Sequence, residues 1–339
     1  MNQVTLREGR AVLAIAFLLP WFTSEPVNAG VRDNSVTSAK VVDESLTGAD
    51  IQNNTLTGAD IQNGSLTRGD LQPVAHQVVV ATSGGDYTSV SAALAAITPS
   101  ATDPYVIEVM PGTYTDNISM KSYVHLRGAG REVTTIQSPS TSSDVVTLTN
   151  VTNAAISGLT IAGGRHGINM FGSSATITGN TISGNSRRGM VLDFSTPIIR
   201  GNTITGNLDG GIENISASPT IVDNTITANS SFGIVSNSSS PTIARNIITG
   251  NTAFGIDNIN SPSLIRDNVI AGHTFGVSTM TSSSSTILNN RITGNASADI
   301  SVDATSIPNI SFNLYDTITG TTGIGSFNVN SNGDPAPAP

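Results

Sequence analysis

Two pairs of basic residues stand one repeat apart in this chain. Arg165 and His166 are followed 22 residues later by Arg187 and Arg188, and Asp209 comes 22 after Arg187. If the chain folds with that period, Arg165, Arg187 and Asp209 share one column, and His166 and Arg188 share the next. Phe232, Phe254 and Phe275 continue the second column, the last of them one residue early. Asp193 falls on the Arg187 rung. Arginine forks hold carboxylates through paired hydrogen bonds, and stacked arginines suit a repeating anionic chain. Aromatic rings beside them could stack on sugar faces. Arg165, His166, Arg187, Arg188, Asp193 and Asp209 are therefore the candidate binding residues. The same residues also fit a charge ladder beside a packed Phe stack, with Asp193 and Asp209 neutralising the arginines.

Other chemistry is thinner. Glu213 and Asp257 are 44 residues apart, which would put two outward carboxylates two rungs or ~9.6 Å apart. Inverting glycoside hydrolysis uses two carboxyl groups roughly 6.5–9.5 Å apart. Any outward column contains some acids, so catalytic residues stay unassigned. Asp223, Arg245 and Asp267 alternate in sign at the same period, a compensated surface ladder worth little energy. No carboxylates have calcium-ligand spacing, and there are no cysteines. No metal or cofactor is expected.

The elements that must position these groups follow from the same period. Asn180, Asn202, Asn224, Asn246, Asn268 and Asn290 are each 22 apart, with Ile three before and Ile two after every one. A second polar row runs Asn185, Asn207, Asn229, Asn251, His273, Asn295. So short a period is one coil of a solenoid. The apolar runs are three or four residues long and rich in Ile, Thr and Val, which suits strands. Three short strands and three turns per 22 residues fit one rung of a parallel β-helix. An asparagine at a fixed turn position can donate and accept between rungs, so the Asn rows are expected to be buried ladders. Thr181, Thr203 and Thr225 are expected to stack outward. The predicted fold is all-β: a single-stranded, right-handed parallel β-helix of about ten rungs, from near Tyr105 to near Asn328, with a short N-terminal capping helix.

Composition agrees. Charged residues are 12% and aromatics 4%, well below a Leu-rich globule's usage. The net charge of −9 argues against nucleic acid and anionic membranes as partners. Arg7 and Arg10 precede the apolar run from Ala11 to Phe22, and a polar stretch ends at Ala29. That layout predicts a signal peptide over 1–29, cleaved after Ala29, and a protein secreted or held in the periplasm or at the cell surface. No second apolar run of membrane length follows. In 30–73, Val31, Val36, Val41, Leu46, Ile51, Leu56, Ile61, Leu66 and Leu71 fall every five residues. This spacing resembles pentapeptide-repeat proteins and predicts a spacer or stalk, either ordered by self-association or disordered. Residues 74–330 are expected to form the β-helix, and 331–339 a disordered tail.

Within 74–137, Thr88 is placed as the cap of a helix through Ile97, with Val90, Ala93, Leu94 and Ile97 on one face. It would plug the open end of the core. The stretches S-G-G-D-Y-T-S-V-S-A-A-L, P-Y-V-I-E-V-M-P-G-T-Y-T-D-N-I and V-H-L-R-G-A-G-R-E-V-T-T-I resemble the opening of pectin methylesterases. The 22-residue repeats resemble the right-handed β-helix family that includes the periplasmic accessory protein of nitrous oxide reductase. Both resemblances imply the pectin-lyase-like fold and neither is specific for activity. Asp193-Phe194 is all that stands near the esterase's catalytic segments, and no glutamine follows Gln137. The esterase machinery is therefore missing from the sequence. The expectation is a secreted, non-catalytic β-helix that presents a flat surface to extracellular or cell-wall polysaccharide. The alternatives are a pectin-lyase-like carbohydrate-active enzyme, with its site near His166, Arg187, Arg188 and Asp193, and a structural surface or adhesion protein.

Overall fold

The computed structural model describes residues 76–320 and 328–336. The expectations for 1–29 and 30–73 lie outside these residues. The described chain winds through three parallel sheets of eleven, ten and ten strands. The first runs from His76–Val80 to Asn309–Ser311, the second from Ile118–Ser119 to Ile318–Thr319, and the third from Gly112–Thr115 to Leu314–Tyr315. Each coil gives one strand to each sheet, and every pairing is with the coil before or after. There are about ten coils of about 22 residues.

The period sets the register. Ile177 pairs with Ile199 in the first sheet, Ile182 with Ile204 in the third, and Ile168 with Met190 in the second. All six are fully buried. Each such side chain contributes roughly 1.5–3 kcal/mol by leaving water. Thr113, Thr135, Thr160, Thr181, Thr203 and Thr225 align on the outer face of the third sheet.

The turns are held by ladders. The Asn202 side-chain oxygen accepts from the Asn180 backbone N–H at 2.9 Å and from its amide at 3.1 Å. This pattern repeats along the row to Asn290 and continues to Asn313 and Asn328. Each amide also donates to a carbonyl of the coil before, as Asn224 does to Ile199 at 2.9 Å. The second row does the same from Asn185 to Asn251. At its end His273 takes the asparagine's part: the Asn251 N–H lies 3.1 Å from its Nδ1, and its Nε2 lies 3.0 Å from the Ile248 carbonyl. Burial pushes the pKa of His273 down.

A third ladder went unread in the sequence. Ser173, Ser195, Ser239, Ser261 and Ser283 are buried at the remaining turn. Their hydroxyls accept backbone N–H groups of the preceding coil, as Ser195 accepts from Ser173 at 3.1 Å. The residue before each ladder position turns through the left-handed region: Gly179, Gly201, Asp223, Arg245, Asp267 and Asn289 before the first row. That conformation costs a side chain little only in Gly, Asn or Asp.

The helix Val90–Ala96 packs against the first coil, with Val90, Ala93, Leu94 and Ile97 buried. Its cap is Ser89, whose hydroxyl accepts from Ala92 N–H at 3.1 Å, one residue later than the expected Thr88. Asp116 accepts the Ser91 N–H at 2.8 Å, so a side chain from the first coil satisfies another free helix donor. At the C-terminal side Val329 bridges Pro335, and the Ala336 N–H donates to the Asn328 carbonyl at 3.0 Å.

Asn224→Leu should strand the donors of Asn202 and the carbonyls of Ile199 and Val222. Each unsatisfied group costs ~1–3 kcal/mol, so the urea midpoint should fall markedly. Thr225→Leu, outward on the third sheet, should shift it by about 0.5 kcal/mol or less. Equal midpoints would show that the ladder does not carry the turn.

Candidate functional site

Five of the six candidate residues, all but Asp193, gather at the start of two adjacent strands of the second sheet and the coil that follows. Arg165 and His166 lead into the strand Ile168–Phe171, and Arg187 leads into the next strand, Arg188–Asp193. The backbone columns are those required by the period. Arg187 N–H donates to Arg165 O at 2.9 Å, Asp209 N–H to Arg187 O at 2.8 Å, and Arg188 registers with Gly210.

The side chains pair differently. Asp209 turns its carboxylate to Arg188, 3.3 Å from Nε, and Arg188 Nη1 lies 2.8 Å from Glu213 Oε2. Arg165 forks onto Asp144, with Nε 3.1 Å from Oδ1 and Nη2 3.3 Å from Oδ2. Asn169 donates to the same carboxylate at 2.7 Å, and His166 Nδ1 stands 3.1 Å from Asp144 Oδ1. Arg187 is exposed, and among the described residues its guanidinium has no hydrogen-bond or ion-pair partner. Asp193 stands at the opposite end of its strand, five residues or ~17 Å from Arg188, and does not pair with the arginines.

Electrostatics follow from these contacts. Burial pushes Asp144 upward, but the Asn169 and Arg165 hydrogen bonds and His166 outweigh it and hold its pKa low. His166 is 5% exposed. Burial lowers its pKa, Asp144 opposes that, and Arg165, Arg188 and Arg187 lower it further. Its imidazole is therefore neutral at pH 7. Neither ring nitrogen makes a well-aligned hydrogen bond among the described residues. Burial, with Asp209 and Asp193, raises Glu213 against the pull of Arg188 and Arg187.

Sequence reasoning missed Asp144 and Asn169 as members of this cluster. The signal for Asp144 was present, since it lies 22 before His166. Asn169 pairs with Val191, which pairs with Glu213, so it too is on the period.

The Phe column is in register through Gly210, Phe232, Phe254 and Phe275. Phe254 and Phe275 stack on each other at 5.5 Å and 17°. A Cβ on Gly210 would come within 2.3 Å of the Phe232 ring, so that ring fills the space above the glycine. These rings spend their faces on one another and on the backbone. Of the two readings of this column, the geometry is that of the packed stack.

Glu213 and Asp257 share one outward column, with Val235 between them. Asp257 is 5% exposed, and its Oδ1 has no hydrogen-bond partner among the described residues. Burial pushes its carboxyl up to about 6.

The family described as "Right handed beta helix region" matches residues 123–264. The described residues have the right-handed parallel β-helix fold. An alginate lyase from Paenibacillus sp. str. FPU-7 superposes with a TM-score of 0.53 at 14% identity, covering 75% of this chain and 99% of that one. The A-module of the Azotobacter vinelandii mannuronan C-5 epimerase AlgE4 superposes with a TM-score of 0.50 at 15% identity, covering 79% and 98%. These likenesses are of fold. No curated protein matches the sequence. Among the described residues no helix is long and apolar enough to cross a membrane.

The Asp257 shift makes a pH prediction. The folded state holds its proton up to about pH 6, whereas an unfolded aspartate releases it near pH 4. Between these values the folded form binds more protons, so this group makes stability fall as pH rises. The difference amounts to something on the order of 3 kcal/mol above pH 6. Asp257→Asn removes the ionisation, so its denaturation midpoint should gain on the wild type from pH 4 to 7. Parallel pH profiles for the two proteins would exclude a buried, protonated Asp257.

Proposed function

We propose that this is a secreted, non-catalytic β-helix protein that holds an acidic polysaccharide against the outer face of its second sheet. The observation that carries this reading is Arg187: exposed, unpartnered among the described residues, and beside two arginines whose own carboxylates fix them in place. A guanidinium with free donors on a rigid sheet is preorganised for a carboxylate. Arg165 and Arg188 keep the neighbourhood positive in a chain of net charge −9. The fold supports the ligand class, since the two structures named above act on alginate and mannuronan. Arg7 and Arg10 ahead of the apolar run from Ala11 to Phe22 support export.

A second reading, a carbohydrate-active enzyme, is favoured by one observation: Glu213 and Asp257 both have raised pKa values in one outward column. Product release from a charged polysaccharide, lost in Asp257→Asn, would favour that reading.

The binding test is retention on immobilised alginate or polygalacturonate at low and moderate salt. Arg187→Ala should weaken it about tenfold, since a hydrogen bond to a charged group is worth ~1.5–3 kcal/mol. Arg291→Ala removes an exposed arginine from the third sheet and should leave retention nearly intact. Equal losses in both variants would mean that only net charge matters.

A further inference from the structure

The strands that begin at the arginines end at two exposed aromatic rings. Phe171 closes the strand Ile168–Phe171 and is 47% exposed; Phe194 follows the strand Arg188–Asp193 and is 62% exposed. The rings meet edge to face at 5.9 Å and 78°. One ring's edge covers a single face of the other, so faces remain open to solvent. This is the opposite of the Phe254–Phe275 stack.

Phe194 also sits in an unfavourable backbone conformation. Its φ is +47°, and the same turn position on other coils holds Gly172, Ser216, Ser238 and Asn260. Left-handed backbone in a bulky residue is an outlier that costs of order a kcal/mol, and such strain concentrates at functional positions. A small residue would suit this turn better, as the neighbouring coils show. Phe171 likewise registers with Thr149 on the coil before and Asp193 on the coil after. Aromatic residues thus occupy, on two adjacent coils only, positions that the fold fills elsewhere with residues of other kinds.

We infer that Phe171 and Phe194 form the aromatic end of a sugar track that crosses the solenoid axis on these two coils, with Arg187 at its other end. This rests on the proposed binding of acidic polysaccharide and adds its direction and second subsite. Arg187 takes a carboxylate at one edge of the sheet. The ring pair takes the apolar face of a pyranose at the other, about 20 Å away over the six residues from Arg187 to Asp193, the register partner of Phe171. Asn169 and Val191, paired between the two ends, form the half-buried to buried floor. The ligand class is a uronate-containing polysaccharide longer than a single sugar, since one ring cannot reach both ends.

The experiment compares wild type, Arg187→Ala, Phe171→Thr and Phe194→Ser on immobilised alginate and polygalacturonate, with urea denaturation and size exclusion run on each. Threonine and serine are the residues of neighbouring coils at these positions. The expected result is retention weakened about fivefold or more in each Phe variant, with the Phe194→Ser midpoint unchanged or raised. Free monosaccharide uronate should not compete, whereas oligosaccharides should. If Arg187→Ala loses retention and both Phe variants keep it, the aromatic subsite is wrong and the binding reading stands. If the wild type itself is not retained, the binding reading fails and takes the subsite with it. A lowered midpoint in Phe194→Ser would assign the ring to packing. A wild-type dimer that the Phe variants convert to monomer, with retention unchanged, would make this patch a contact between two copies. Either result overturns the subsite.

Discussion

Every coil of this protein must turn three times, and each turn buries backbone N–H groups that water cannot reach. The whole structure depends on how those groups are satisfied. At nearly every turn one residue takes a left-handed conformation, and the next offers a side-chain acceptor to the coil before it. The first two turns use asparagine, which accepts and donates at once; the third uses serine. Since a buried unpaired donor costs ~1–3 kcal/mol, a coil one residue out of phase would lose several such bonds together. The Ile rows reinforce the phase, but apolar packing tolerates small shifts better than hydrogen bonds do.

This rigidity decides where chemistry can be placed. Most inward positions are committed to Ile, with a buried polar column at Asn214, Ser236 and Asn258 in the second sheet, and most ladder positions to Asn or Ser. Outward strand positions and the residues flanking the turns are free to vary. On the third sheet the outward column is a run of threonines. On the second sheet the equivalent surface carries Asp144, Arg165, His166, Asn169, Arg187, Arg188, Asp209 and Glu213 on successive coils. The backbone holds these groups at fixed spacing, so binding would cost little ordering of the site. The polar cluster is largely self-compensated: Asp144 serves Arg165 and His166, while Asp209 and Glu213 serve Arg188. Arg187 is left over, and its freedom depends on Asp209 reaching past it to the neighbouring column.

That detail marks the limit of what could be read from the sequence. A 22-residue period aligns α-carbons, so the Ile rows, the Asn rows and the columns of Arg165 and His166 were legible. The direction of a side chain was not. Asp209 shares a column with Arg187 yet pairs with Arg188, because long side chains lean across columns. The Phe row was placed correctly, but whether its rings offered faces or edges needed coordinates. The serine ladder was hidden for another reason: Ala217 interrupts it, and serine is common in outward positions throughout the chain. Asp144 and Asn169 stand on the period, but their columns hold residues of different types on successive coils, so no repeated residue marked them.

Two residues on the second sheet run against the fold's preferences. Asp257 is an outward carboxyl held away from water and kept protonated to about pH 6. Phe194 is a bulky ring on a turn that glycine, serine or asparagine would satisfy at lower cost. In a solenoid these costs are unusually easy to identify, because the neighbouring coils act as internal controls. Val235 and Ser278 stand in the Asp257 column, and Gly172 and Ser216 flank Phe194. The fold accepts smaller or apolar residues at both places, so packing alone does not explain either exception. The conformational cost at Phe194 falls on a fully formed ladder coil, where the Ser195 hydroxyl still accepts the Ser173 N–H at 3.1 Å. The strain is therefore absorbed by a turn that its neighbours already fix, which is the condition under which an unfavourable residue can persist for the sake of what its side chain presents to solvent.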